Sequence, residues 1–142
     1  LREVTLLSAE ELQGIVNAAF PAWALPHVES VDDDSLVLVL PVDEKNTRPG
    51  GTLSGPTMMA LADNAAWLLI LAHIGPQLLA VTTSLHIDFL RKPEVADLVA
   101  RARILKLGRR LAVVDVEVSS SGSKDLVAKA QVTYSIPPRT DS

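Results

Sequence analysis

Cysteine is absent from all 142 residues, which excludes disulfide cross-links, a thiol nucleophile and thiolate metal sites. Positive charge is also in short supply. Thirteen Lys and Arg against 17 Asp and Glu give a net charge of −4, and the isoelectric point is near 5.3. That balance argues against a general nucleic-acid binder, although local basic clusters remain. The chain opens Leu1-Arg2-Glu3 without an initiator Met, and no charged segment leads into an apolar core, so no signal peptide is expected. The most apolar run, Ala65 to Ala72, is far short of the ~20 residues of a membrane span, and Asp63 and Asn64 limit its extension. The expectation is a cytoplasmic protein with no membrane partner. His27, His73 and His86 have no ligand spacing, so no metal is expected. No repeat or linker divides the chain.

What is present is apolar. Hydrophobic residues make up 48% of the chain, enough for one domain over residues 1–142 with a real core. Ser8-Ala9-Glu10-Glu11 reads as a capping box opening a helix to about Phe20, with Leu12, Ile15, Val16 and Ala19 on one face. Val28 to Val31 and Ser35 to Val42 read as strands around the turn Asp32-Asp33-Asp34. The wholly apolar stretch Leu36 to Leu40 predicts cover on both faces. Pro56 to about His73 is the main helix, opened by a proline that suits the first turn and closed by Gly75-Pro76. It is apolar nearly all round, which predicts a buried helix.

Four strands with period-2 alternation follow. In the first, Val81, Thr83, Leu85, Ile87 and Phe89 form the apolar face, against Thr82, Ser84, His86 and Asp88. The others centre on Leu98 to Ile104, Ala112 to Val118 and Leu126 to Tyr134, with turns at Gly108-Arg109-Arg110 and between Ser119 and Asp125. The fold class is α+β, an antiparallel sheet curved around one central helix.

The segment Gly50-Gly51-Thr52-Leu53-Ser54-Gly55-Pro56 runs into this helix, which carries a lone acid at Asp63. A helix N-terminus offers unpaired N–H groups and a positive dipole end to an oxyanion. A carboxylate on an apolar helix is costly unless paired, hydrated or used. Together they read as two halves of an acyl-transfer site.

These motifs resemble the hotdog fold, and within it the phenylacetyl-CoA thioesterase-like (PaaI-type) branch of the acyl-CoA thioesterases. That branch usually shows His-Gly-Gly, three residues, then Ala-Leu-Ala-Asp, followed by a Val-Thr strand ending in an aromatic-Leu-Arg-Pro-like turn. Here stand Ser54-Gly55-Pro56, three residues, then Ala60-Leu61-Ala62-Asp63. Val81-Thr82, Phe89-Leu90-Arg91-Lys92-Pro93 and Gly108-Arg109-Arg110-Leu111-Ala112 follow. The likeness covers roughly residues 35 to 136. Ser54 replaces the usual His and Pro56 the second Gly, while Gly55 and Asp63 are retained.

The resemblance implies hydrolysis of an acyl-CoA thioester, with the Gly55 N–H polarising the carbonyl and Asp63 as general base or nucleophile. Coenzyme A enters only as part of the substrate, and no separate cofactor is implied. Thr82, on the polar strand face, would orient a water or be a plain strand threonine. Ser54 would cap the helix or bond substrate. Asn46 lies near a polar position of the family, and Trp67, one turn beyond Asp63, would wall the acyl pocket or pack in the core. Arg91, Lys92, Arg109 and Arg110 would grip the coenzyme A phosphates or lie in solvated turns. The alternative, suggested by Ser54 and Pro56, is a hotdog protein that binds acyl-CoA without hydrolysing it. Hotdog proteins of this kind pair as homodimers, often as dimers of dimers. Gly55 and Asp63 lie ~12 Å apart along one helix axis. That spacing predicts a site shared between two subunits, and the resemblance to hotdog dimers implies that Val81 to Leu90, with its polar stripe, pairs across the dyad.

Overall fold

The computed structural model describes residues 6–21, 25–42, 47–48, 52–75 and 79–138. Asn46, Gly50 and Gly51 therefore lie outside the described residues. The capping box closes on itself at the first helix, α1 (Ala9–Ala19): Ser8 Oγ accepts from the Glu11 N–H and Glu11 Oε1 from the Ser8 N–H, both at 3.1 Å. Leu12 and Val16 are its buried positions, whereas Ala19, expected on the same face, is exposed where the helix runs out.

The strands are β1 (His27–Val31), β2 (Ser35–Leu40), β3 (Thr47–Arg48), β4 (Thr52–Leu53), β5 (Val81–Phe89), β6 (Leu98–Leu107), β7 (Leu111–Ser120) and β8 (Leu126–Ser135). Six of them form one antiparallel sheet in the order β1-β2-β6-β7-β8-β5, and β3 pairs with β4 apart from it. The sheet curves around α2 (Gly55–Ile74), the hotdog arrangement. Gly75 terminates this helix at φ 85°, a left-handed conformation that suits glycine.

Small residues let helix and sheet approach closely. Ala62, Ala65, Ala66 and Ala72 of α2 face a sheet surface that includes Ala100, Ala102, Ala112, Ala128 and Ala130, all buried. Larger side chains, among them Leu36, Leu38, Leu69, Val114 and Val132, complete the packing.

Two expectations change. The helix is not buried all round: Pro56, Met59 and Ala60 are exposed, and Asp63, Asn64 and Trp67 are half-buried along the same side. The sheet covers one side of its N-terminal half, and no described element covers the other. Strand β2 likewise alternates, with Leu36, Leu38 and Leu40 inward and Val37 and Val39 only half-buried. Helix α2 also continues through Asp63 and Asn64. Its 20 residues are long and apolar enough to cross a membrane by length and composition, but most of that surface is buried against the sheet, as in a core helix.

Removing volume from this core should be costly. Leu69→Ala should lower unfolding free energy by about 2–5 kcal/mol, whereas Lys124→Ala in an exposed turn should change it by less than about 0.5 kcal/mol. Urea titrations of both variants check this.

Candidate active site

Strand β5 lies at one edge of the sheet, paired on one side with β8. Ile87 opposes Ala130 and Leu85 opposes Val132, so these residues face α2. A bulge then interrupts the register between Thr82 and Ser84, and Thr82 opposes Tyr134. One extra residue reverses the facing of everything before it. Thr82 consequently leaves the polar face assigned by simple alternation and turns toward the helix. The Thr83 hydroxyl donates to the Thr133 carbonyl at 3.2 Å beside the bulge.

This re-aiming brings Thr82 to Asp63. Thr82 Oγ1 donates to Asp63 Oδ1 at 2.7 Å, and the Tyr134 hydroxyl lies 2.9 Å from the same oxygen. The hydroxyl is also 3.1 Å from the Asp63 backbone carbonyl, so its single proton is shared between two acceptors. No donor among the described residues reaches Oδ2. Alternation marks Tyr134 as a core-facing position and gives its hydroxyl no role. The signal is nonetheless present: a buried tyrosine requires a partner for its O–H, and this is the chain's one tyrosine.

The other half of the site is at the start of α2. Ser54 is extended and caps the helix, with Oγ accepting from the Thr57 N–H at 3.2 Å and lying 2.8 Å from the Thr57 hydroxyl. The Met58 N–H donates to the Ser54 carbonyl at 3.3 Å, and Pro56 has no N–H. Of the first four helical positions, only Gly55 retains an amide proton with no acceptor among the described residues. A Cβ on Gly55 would meet the Phe89 ring at 3.3 Å, so the absence of a side chain lets that ring lie against the helix start. Gly55 borders a cleft of about 480 Å³ lined also by Leu53, Met58 and Phe89 and by the turn Leu90, Arg91, Lys92 and Pro93.

A sequence profile of the Thioesterase superfamily matches residues 50–133, a span that holds Gly55, Asp63 and Thr82. The chain belongs to that family. A candidate thioesterase of Silicibacter sp. TM1040 has a similar structure, with TM-score 0.89 and 42% identity over 96% of each chain. A mutant of PaaI, the phenylacetic acid degradation protein of Thermus thermophilus, gives TM-score 0.69 and 32% identity over 79% of this chain and 93% of its own. A candidate esterase of Pseudomonas aeruginosa is 34% identical over 104 residues, 72% of this chain and 75% of its own length. This thioesterase-superfamily chain thus has the hotdog fold and PaaI-type likeness expected from its motifs, and its relatives support thioester hydrolysis as its general chemistry.

Within the one thioesterase chain the candidate residues fall into separate groups. Asp63 and Thr82 meet near the start of β5, while Gly55, Arg91 and Lys92 border the cleft at its far end. Arg91 pairs with Asp125 at 3.2 Å, both exposed. Arg109 and Arg110 are exposed in the β6–β7 turn; the Arg110 carbonyl accepts from Ile136, just beyond the residue opposite Val81. They therefore belong to the β5 start, opposite in position to Arg91 and Lys92. Trp67 meets Phe20 edge to face with ring centroids 6.5 Å apart, tying α2 to the end of α1.

Burial, and secondarily the charge and hydrogen bond of Asp63, push the Tyr134 phenol above its ordinary 10.0 against a lowering contribution from Thr82. The phenol remains a donor at neutral pH. Because the folded-state value is the higher one, its stabilising effect is complete below pH 10.0 and is lost as pH rises toward the folded-state value. Between about pH 10 and 12 the Tm of wild type should fall more steeply than that of Tyr134→Phe, by up to ~1.4 kcal/mol per pH unit in unfolding free energy. Thermal melts of both proteins across that range check the difference.

Proposed function

We propose that this chain hydrolyses acyl-CoA thioesters in a site completed by two subunits. The observation that carries the reading is the separation of its two halves along α2 and β5. Gly55 and Asp63 are eight residues apart, or ~12 Å along the helix axis. A short carboxylate recovers only part of that distance. One helix therefore cannot readily aim both groups at a single carbonyl carbon.

Two copies can. The nine residues of β5 form a sheet edge with Val81 and Phe89 substantially exposed, the kind of edge that seeks another strand. Antiparallel pairing with its own copy, centred near Leu85, would bring Phe89 beside Val81 of the partner subunit. Phe89 lies on Gly55, and Thr82 is bonded to Asp63. The Gly55 amide of one subunit would then approach Asp63 of the partner subunit. The same operation would bring Arg91 and Lys92 toward the partner's Arg109 and the partner's Arg110, giving the nucleotide phosphates cations from both chains.

In this site the Gly55 N–H and the helix dipole polarise the thioester carbonyl. Asp63 of the partner subunit either takes a proton from an attacking water or attacks the carbonyl carbon itself, with water then releasing the acyl group. Both routes break the C–S bond and yield free acid and coenzyme A thiol. A specific observation supports the second reading, acyl-CoA binding without turnover. Pro56 leaves Gly55 as the one helix-start amide with no acceptor among the described residues, and one oxyanion donor is commonly worth ~10²–10³ in rate.

A hydrolysis screen over benzoyl-CoA, butyryl-CoA and palmitoyl-CoA separates turnover from binding. Asp63→Asn should retain less than about a tenth of wild-type turnover. Gly55→Pro should also be inactive, because it removes the amide proton and its ring displaces Phe89, while extended Ser54 suits a residue before proline. Refolding the two variants together should form hybrid dimers with one intact site each, restoring about a quarter of wild-type activity. No recovery in verified hybrids would contradict a shared site.

A further inference from the structure

We propose that Tyr134 is a positioning residue for hydrolysis: with Thr82 it holds the Asp63 carboxylate by Oδ1 and reserves Oδ2 for the reacting water or carbonyl. The inference rests on Asp63 acting in the reaction, and it concerns what makes that side chain competent. A phenylalanine would fill the same space, since Tyr134 is only 3% exposed and surrounded by core. The hydroxyl adds a buried polar group, which is costly unless bonded. It is directed at Asp63 and not at a sheet carbonyl.

Two donors on one oxygen have a mechanical consequence. The terminal torsion of an aspartate is broad and nearly two-fold, so an untethered carboxylate exchanges its oxygens freely. Thr82 and Tyr134 come from adjacent strands and directly oppose one another. Their hydroxyls are held by the sheet and do not follow rotation of the Asp63 side chain. At 2.7 and 2.9 Å they fix Oδ1 from the sheet side. Oδ2 receives no donor among the described residues and belongs to a residue on the half-exposed side of α2. Loss of such preorganisation, with the reacting atom displaced by about 1 Å, typically lowers turnover ~10²-fold. The bulge at Thr82/Ser84 and the tyrosine on β8 are thus two parts of one clamp.

The test compares kcat and KM for Tyr134→Phe, Thr82→Val, Thr82→Ser, Tyr134→Phe/Thr82→Val and Asp63→Asn, using benzoyl-CoA, butyryl-CoA and palmitoyl-CoA. Tyr134→Phe and Thr82→Val should each lose about fivefold in kcat with KM within about twofold, because each leaves one donor on Oδ1 and substrate contacts untouched. Thr82→Ser, which keeps the donor, should stay within about twofold of wild type, and the double variant should lose about a hundredfold, more than the product of the single losses. Wild-type kcat in Tyr134→Phe, equal losses in the Val and Ser variants, or a double loss that is simply multiplicative would overturn the clamp. If Tyr134→Phe does not fold, the Val and Ser pair at the exposed edge position decides alone. Asp63→Asn separates the two claims: retained turnover there defeats the role of Asp63, whereas its inactivity beside a fully active Tyr134→Phe defeats only the clamp.

Discussion

A carboxylate carried on an apolar helix must find hydrogen-bond donors, and Asp63 finds them on the sheet that wraps it. The helix has nowhere else to go: its alanines are pressed against the alanine-rich inner faces of β6, β7 and β8. That close packing fixes Asp63 opposite the β5–β8 pair. Thr82 and Tyr134 meet its Oδ1 there, one because a bulge turns it inward and the other because a buried phenol needs an acceptor. Burying charge near a core is usually unfavourable. Here the cost is offset by two hydroxyl donors and by partial exposure of the side chain.

The helix N-terminus is likewise short of donors. Ser54 engages Thr57 and Met58, and Pro56 has nothing to offer, so the dipole is expressed through the Gly55 amide. Phe89 lies against that glycine from the end of β5 whose start is bonded, through Thr82, to Asp63. One edge strand thereby connects the Gly55 amide to the doubly bonded Asp63 carboxylate, each anchored at an opposite end. In the proposed dimer this separation becomes an advantage, because a two-fold axis through the strand exchanges its ends.

Much of the fold was legible because its signals are local. The Ser8–Glu11 capping box, Pro56 at the helix start, Gly75 at its end and the alternation of four long strands each encode their own structure. That Gly55 and Asp63 lie on one helix, eight residues apart, was legible in the same way. What escaped depends on pairing between distant segments. Nothing in Val81-Thr82-Thr83-Ser84 announces a bulge, since alternating and bulged strands of such residues read alike until β8 sets the register. Tyr134 was visible as a buried position, but its partner lies 71 residues away in sequence. The exposed side of α2 escaped for the same reason: composition records that a helix is apolar, and only the sheet's extent decides which of its apolar residues are covered.

Cross-linking reads directly whether the site is completed by antiparallel pairing of β5 with its own copy. The cysteine-free sequence makes this clean. Single cysteines introduced in turn at positions 83 to 87 report which residues approach their own copies, because a disulfide requires Cβ atoms within about 4.5 Å. Disulfide-linked dimers should form rapidly at one or two positions near the strand centre and at none toward its ends, with thioester hydrolysis retained in the cross-linked protein. A fully active monomer, or an active dimer in which no position from 83 to 87 cross-links, would contradict it.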